Sequence, residues 1–96
     1  MLKCASHIEY LLNNAQGFME DEELETPQFK SFVTHDSIGP CIDIVPWNFP
    51  FWMPFKSMTA PLLLGNPILM KHAPSTPLSA AAIEKLFIDA GFDGEY

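Results

Sequence analysis

At 96 residues the chain holds one hydrophobic core at most, and chains of this size bury only about 60–70% of the surface they expose when unfolded. Apolar residues make up 48% and charged residues 18%, with a mean hydropathy of +0.09; that excludes a disordered chain, which is poor in apolar and rich in charged residues. Five lysines, no arginine and twelve acids leave a net charge of −7, the wrong balance for gripping the phosphates of nucleic acid or an anionic membrane surface.

Two cysteines, Cys4 and Cys41, are too few for a disulfide scaffold and fit a reducing compartment. No apolar run reaches the 18 or so residues of a membrane span, because prolines interrupt the longest one. The first residues lack the apolar core of a signal peptide. Cytoplasm is the expected location, or mitochondria if an import sequence is missing.

Residues 2–18 read as a helix: Ile8, Leu11, Leu12, Ala15 and Phe18 or Met19 recur at spacings of three and four and form one apolar stripe. Cys4 and His7 lie three apart on it, but two ligands without a second pair make a poor metal site. The acidic run of residues 20–25 then opposes the helix macrodipole and is expected in a solvated connection. It lacks the alternating ligands and central glycine of a calcium loop. After Thr26 and Pro27, residues 29–35 alternate like a partly exposed strand, and residues 36–40 have turn chemistry.

Residues 41–45 form a short run that is apolar on both faces except at Asp43, as a buried parallel strand would be. Here Cys41 reads as a small buried hydrophobe. Asp43 must find a donor, face a cleft or titrate neutral, since an unpaired buried carboxylate is costly. Beyond residues 46–50, a helix is predicted over 51–64, with Pro54 tolerated in its first turn and Gly65 and Asn66 closing it. Residues 67–72 read as a second strand, with Pro67 acceptable at its start. Thr76 is placed to cap, and Pro77 to begin, a helix running to Ala90 and ending at Gly91; Leu78, Ala81, Ala82, Leu86, Phe87 and Ala90 are taken as its apolar side. From Cys41 onward the order is βαβα. No glycine-rich G-x-G-x-x-G turn follows the first strand, and neither His35 nor His72 has a partner acid at a telling spacing.

The stretch Ile44-Val45-Pro46-Trp47-Asn48-Phe49-Pro50-Phe51-Trp52, followed by Gly65-Asn66 and Lys71, resembles the aldehyde dehydrogenase superfamily. The likeness extends to Lys3-Cys4-Ala5, to Ile38-Gly39-Pro40 and to Leu86-Phe87 leading into Ala90-Gly91-Phe92. Phe51-Trp52 and Lys71-His72-Ala73 look most like the succinate-semialdehyde dehydrogenase branch.

The resemblance implies an α/β fold: a partial Rossmann-like βαβα unit of a cofactor-binding domain at residues 40–96. It is preceded by an amphipathic helix with its acidic connection at 1–25 and the start of an oligomerisation arm at 26–39. It implies NAD or NADP as cofactor, a small aldehyde as substrate, and oxidation to a carboxylate through a cysteine thioester. Asn48 would then be the side-chain half of an oxyanion hole. Ile44, Val45, Pro46 and Trp47 would line the cofactor cleft, at strand C-terminal ends where open α/β sheets bind ligands. Lys71 would hydrogen-bond the adenosine ribose. Without the flanking match, such an Asn ordinarily serves turn geometry, such a Lys is ordinarily solvated, and Trp47 and Trp52 ordinarily pack.

The family commonly places an acid three residues after the lysine to grip the ribose hydroxyls. Here that position is Pro74, so a 2′-phosphate meets less repulsion and NADP is at least as suitable as NAD. Neither cysteine matches the family's nucleophile, which lies far downstream of the Asn48 motif. The chain alone is therefore expected to be inactive, as a fragment or a decayed gene copy whose parallel strands still need neighbours. The tail 92–96 drifts from the family pattern. The alternative from another class is a non-catalytic interaction module, which pairs with full-length subunits in a homo-oligomer through the arm and the first helix.

Overall fold

A computed structural model describes residues 1–92; the tail residues 93–96, on which part of the sequence reading falls, lie outside the described residues. Helix α1 (Leu2–Met19) is followed by strands β1 (Glu22–Leu24) and β2 (Ser31–Val33). Then come β3 (Cys41–Ile44), α2 (Trp52–Leu63), β4 (Ile68–Lys71) and α3 (Pro77–Asp89). β1 and β2 pair antiparallel, Glu23 opposite Phe32, while β3 and β4 pair parallel with Cys41 opposite Ile68 and Ile44 opposite Lys71. The βαβα order expected from residue 41 onward is the one observed.

The core sits where the three helices meet the inner face of the β3–β4 pair. Cys4, Phe55, Met58 and Ile83 are its buried centre, with Ile8, Trp52, Ile68 and Met70 packed around them. Cys4 is thus a core residue, and His7 beside it meets Trp52 edge to face with ring centroids 5.5 Å apart. Phe55 and Phe87 stack at 6.1 Å and bring α3 onto α2. Offset aromatic pairs of this kind contribute about 0.5–1.5 kcal/mol beyond their buried area.

Several expectations change. On α1, Leu12 and Phe18 are exposed, and the inward face runs instead through Cys4, Ile8, Leu11, Ala15 and Met19. On α3, Leu78 is 85% exposed and Ile83 only 5%. The inward face is Ala80, Ile83 and Phe87, whereas Ala81, Ala82, Leu86 and Ala90 turn outward. The acidic run stays fully solvated, yet its residues Glu22–Leu24 form β1. The backbone of β2 supplies their partners, which no side-chain period announces. Among the described residues, no Cα of β1 or β2 lies within 8 Å of a Cα of the helices or of the β3–β4 pair. The molecule extends over 58 × 26 × 26 Å, with a radius of gyration of 16.7 Å against about 13 Å for a compact chain of similar length.

The β3–β4 pair is buried on one face only. Cys41, Asp43, Ile68 and Met70 are half-buried towards α2, whereas Ile42, Ile44 and Leu69 are exposed on the outer face. Expectation had both faces covered. The described helices form a layer on one side, so alternate residues of each strand remain open.

Both α2 and α3 end on a glycine in the left-handed region, Gly65 at φ 76° and Gly91 at φ 91°. Each closes a Schellman motif: Asn66 N donates to Pro61 O at 3.0 Å, and Phe92 N to Phe87 O at 3.0 Å.

Candidate functional site

The parallel ladder decides where the site lies. Cys41 N donates to Pro67 O at 2.8 Å at one end, and Val45 N donates to Lys71 O at 3.1 Å at the other. The C-terminal ends of β3 and β4 are therefore side by side, and the segments leaving them, 46–50 and 72–76, are neighbours. This is the edge at which open α/β sheets offer room for a ligand.

The residues singled out from the sequence gather here. Ile44 is exposed on the outer face and is the register partner of Lys71. Lys71 is exposed and forms no ion pair among the described residues. Val45 is only 5% exposed. Pro46, Trp47 and Asn48 are exposed in the turn that follows, and the Asn48 amide makes no hydrogen bond among the described residues. Pro74 is exposed in the turn after β4. An exposed ammonium followed three residues later by a proline, rather than by an acid, suits a ribose or phosphate oxygen.

The framework under this edge is polar where it must be. Asp43 lies on the inner face and accepts the Ser57 hydroxyl of α2 at 2.5 Å, so of the three outcomes open to it, it finds a donor. At the opposite end of the strands, Asn66 is 5% exposed. Its Oδ1 accepts from Ile38 N at 2.8 Å and Gly39 N at 2.9 Å, and its Nδ2 donates to Pro61 O at 3.2 Å. One side chain thus ties the turn that enters β3 to the end of α2. The sequence placed Asn66 only as part of a cap.

Two further features depart from the sequence reading. Thr76 is the N-cap of α3 by position, but its hydroxyl makes no capping bond; it meets His72 Nδ1 at 2.8 Å instead. His72, for which no acid partner was found, is anchored by neutral groups, Thr76 on one nitrogen and the Pro50 carbonyl on the other, 2.9 Å from Nε2. Cys41 is half-buried, with its Sγ 3.5 Å from Gly39 O.

The aldehyde dehydrogenase family model matches residues 1–95. A Synechocystis protein named "Probable succinate-semialdehyde dehydrogenase", NADP(+)-dependent, is 37% identical over 90 residues, which is 94% of this chain and 20% of that one. The NADP(+)-dependent succinate-semialdehyde dehydrogenase of Deinococcus radiodurans is 36% identical over 87 residues, 91% of this chain and 18% of its own length. Among solved structures, the Streptococcus pyogenes succinic semialdehyde dehydrogenase in complex with NADP+ superimposes with a TM-score of 0.90 at 31% identity, over 95% of this chain and 20% of that one. The chain spans about a fifth of the length of these relatives. With a family match over almost every residue and a fold shared at this level, the chain belongs to the aldehyde dehydrogenase family.

Proposed function

We propose that this chain is the N-terminal, cofactor-binding part of an NADP-dependent aldehyde dehydrogenase that oxidises succinate semialdehyde, or a similar small aldehyde, to a carboxylate through a cysteine thioester. The observation that carries the proposal is the meeting of Asn48, Ile44, Trp47, Lys71 and Pro74 at one strand edge. The names of the relatives support the cofactor and the substrate class.

Each residue then has a physical task. Lys71 offers an ammonium to the ribose and its phosphate, and Pro74 removes the carboxylate that would repel a 2′-phosphate. Ile44 and the exposed Trp47 give the cofactor an apolar wall. A bound nicotinamide would supply the hydride acceptor for this oxidation. Asn48 donates its side-chain N–H to the aldehyde oxygen as negative charge builds there. A donor of this kind is worth about 2.7–4 kcal/mol of transition-state stabilisation, or 10²–10³ in kcat. The nucleophile matches neither Cys4 nor Cys41, so the covalent step belongs to residues outside this chain, and the chain by itself is inactive.

The β1–β2 hairpin, whose backbone stands apart from the helices and the β3–β4 pair among the described residues, supports assembly of subunits through this arm. Retention of tagged full-length subunits by the intact hairpin, and release on its deletion, would test that. The catalytic proposal is tested in a chimera in which residues 1–92 replace the matching part of the Synechocystis relative. The expected result is NADP-dependent oxidation of succinate semialdehyde, falling 100–1,000-fold in kcat with Asn48→Ala. An assembled chimera indifferent to Asn48→Ala would contradict the role given to it.

A further inference from the structure

We infer that His72 is a positioning residue for the turn that carries Asn48, and that it is required because Pro54 removes a helical hydrogen bond. The reason starts with the backbone. In an α-helix each carbonyl is met by the N–H four residues on. Around the start of α2, Phe49 O receives Met53 N at 3.1 Å and Phe51 O receives Phe55 N at 3.2 Å. Between them, the carbonyl of Pro50 faces Pro54, which has no N–H to give. Pro54 is also the largest fully buried side chain of the chain's described residues, so it is held in place by packing.

His72 makes up the missing donor from another element. Its Nε2 lies 2.9 Å from Pro50 O. A carbonyl only accepts, so Nε2 carries the proton. In the neutral ring Nδ1 is then an acceptor and takes the Thr76 hydroxyl proton at 2.8 Å. Thr76 can spare that proton: Ala73 O, 3.3 Å from its hydroxyl, already receives Thr76 N at 3.1 Å. In the protonated ring both nitrogens donate and the Thr76 hydroxyl turns to Ala73 O, so the bridge closes in either state. One imidazole thus joins the residue after Lys71, the first turn before α3 and the end of the 46–50 segment. Asn48 is two residues from the anchored carbonyl.

This inference rests on the proposed donor role of Asn48 for its purpose, because the bridge then fixes the oxyanion donor relative to the cofactor-binding lysine. Its geometry can be tested without cofactor or aldehyde. Long-range ¹⁵N–¹H spectra of the whole chain are expected to show the neutral His72 ring protonated at Nε2 and not at Nδ1. Backbone order parameters at Trp47, Asn48 and Phe49 are expected to be those of a rigid segment, about 0.85, and to fall below about 0.6 in His72→Phe. His72→Gln, whose amide N–H reaches a similar place, is expected to keep them above 0.8 while α1 is unchanged in all three proteins. A ring protonated at Nδ1, observed without any substitution, would overturn the inference. So would a His72→Phe protein with order parameters unchanged at those three residues. Failure of added NADP+ to perturb the spectra would count against the dehydrogenase proposal alone.

Discussion

Replacing Asn66 by alanine should loosen the chain at the turn that leads into the sheet. Its Oδ1 holds the backbone N–H groups of Ile38 and Gly39 at 2.8 and 2.9 Å, and Nδ2 reaches Pro61 O at 3.2 Å. Alanine removes these three bonds and the longer one from Nδ2 to Leu64 O at 3.5 Å. Each neutral bond contributes roughly 0.5–1.5 kcal/mol net, and a donor left buried costs about 1–3. The flank around Ile38 is exposed, so water recovers part of that cost, and the loss comes to about 2–3 kcal/mol. With a urea slope of about 1–3 kcal/mol/M for a small protein, the unfolding midpoint should drop by about 0.7–3 M. Asn66→Asp keeps the acceptor for both N–H groups but sets a carboxylate oxygen against the Pro61 carbonyl, so it should fall between parent and alanine variant. Urea unfolding followed by far-UV circular dichroism measures both. An Asn66→Ala midpoint within a few tenths of a molar of the parent would refute the reasoning.

Three further predictions concern packing and polar pairing. Ile83→Ala should cost about 2–5 kcal/mol as a core cavity, while Leu78→Ala should stay within about 0.5 kcal/mol as a surface change; chemical denaturation of the pair checks which residue faces the core. Ser57→Ala should cost about 1 kcal/mol or less, because Asp43 loses a donor at an exposed position that the hydroxyl shares with Met53 O at 2.7 Å. Removing both partners in Asp43→Val/Ser57→Ala should recover much of that loss, and the same denaturation assay reads it.

Much of the organisation was legible in the residues. Proline and glycine punctuation marked the ends of α2 and α3, and the order strand, helix, strand, helix followed from it. The site residues converged because the parallel register puts Ile44 beside Lys71, which βαβ connectivity demands once the strands are known. What escaped was non-local. On α3 so many positions are apolar that several stripes fit, and only packing against Phe55 selects Ile83 and Phe87 over Leu78. β1 was hidden because its stability comes from backbone pairing and its side chains are mostly acidic. The task of Asn66 depends on groups 27 and 28 residues away, and that of His72 on a carbonyl 22 residues away. In the second case a local clue existed: a proline four residues after a helix-start carbonyl removes that carbonyl's helical donor.

The most direct test of the proposed cofactor-binding role is a titration of the chain with NADP+ and, separately, with NAD+, followed by amide shifts. NADP+ should bind at least as tightly as NAD+ and perturb Ile44, Val45, Trp47, Asn48 and Lys71 together, leaving the β1–β2 hairpin unmoved. Absence of any shift at the ends of β3 and β4, or a strong preference for NAD+, would contradict it.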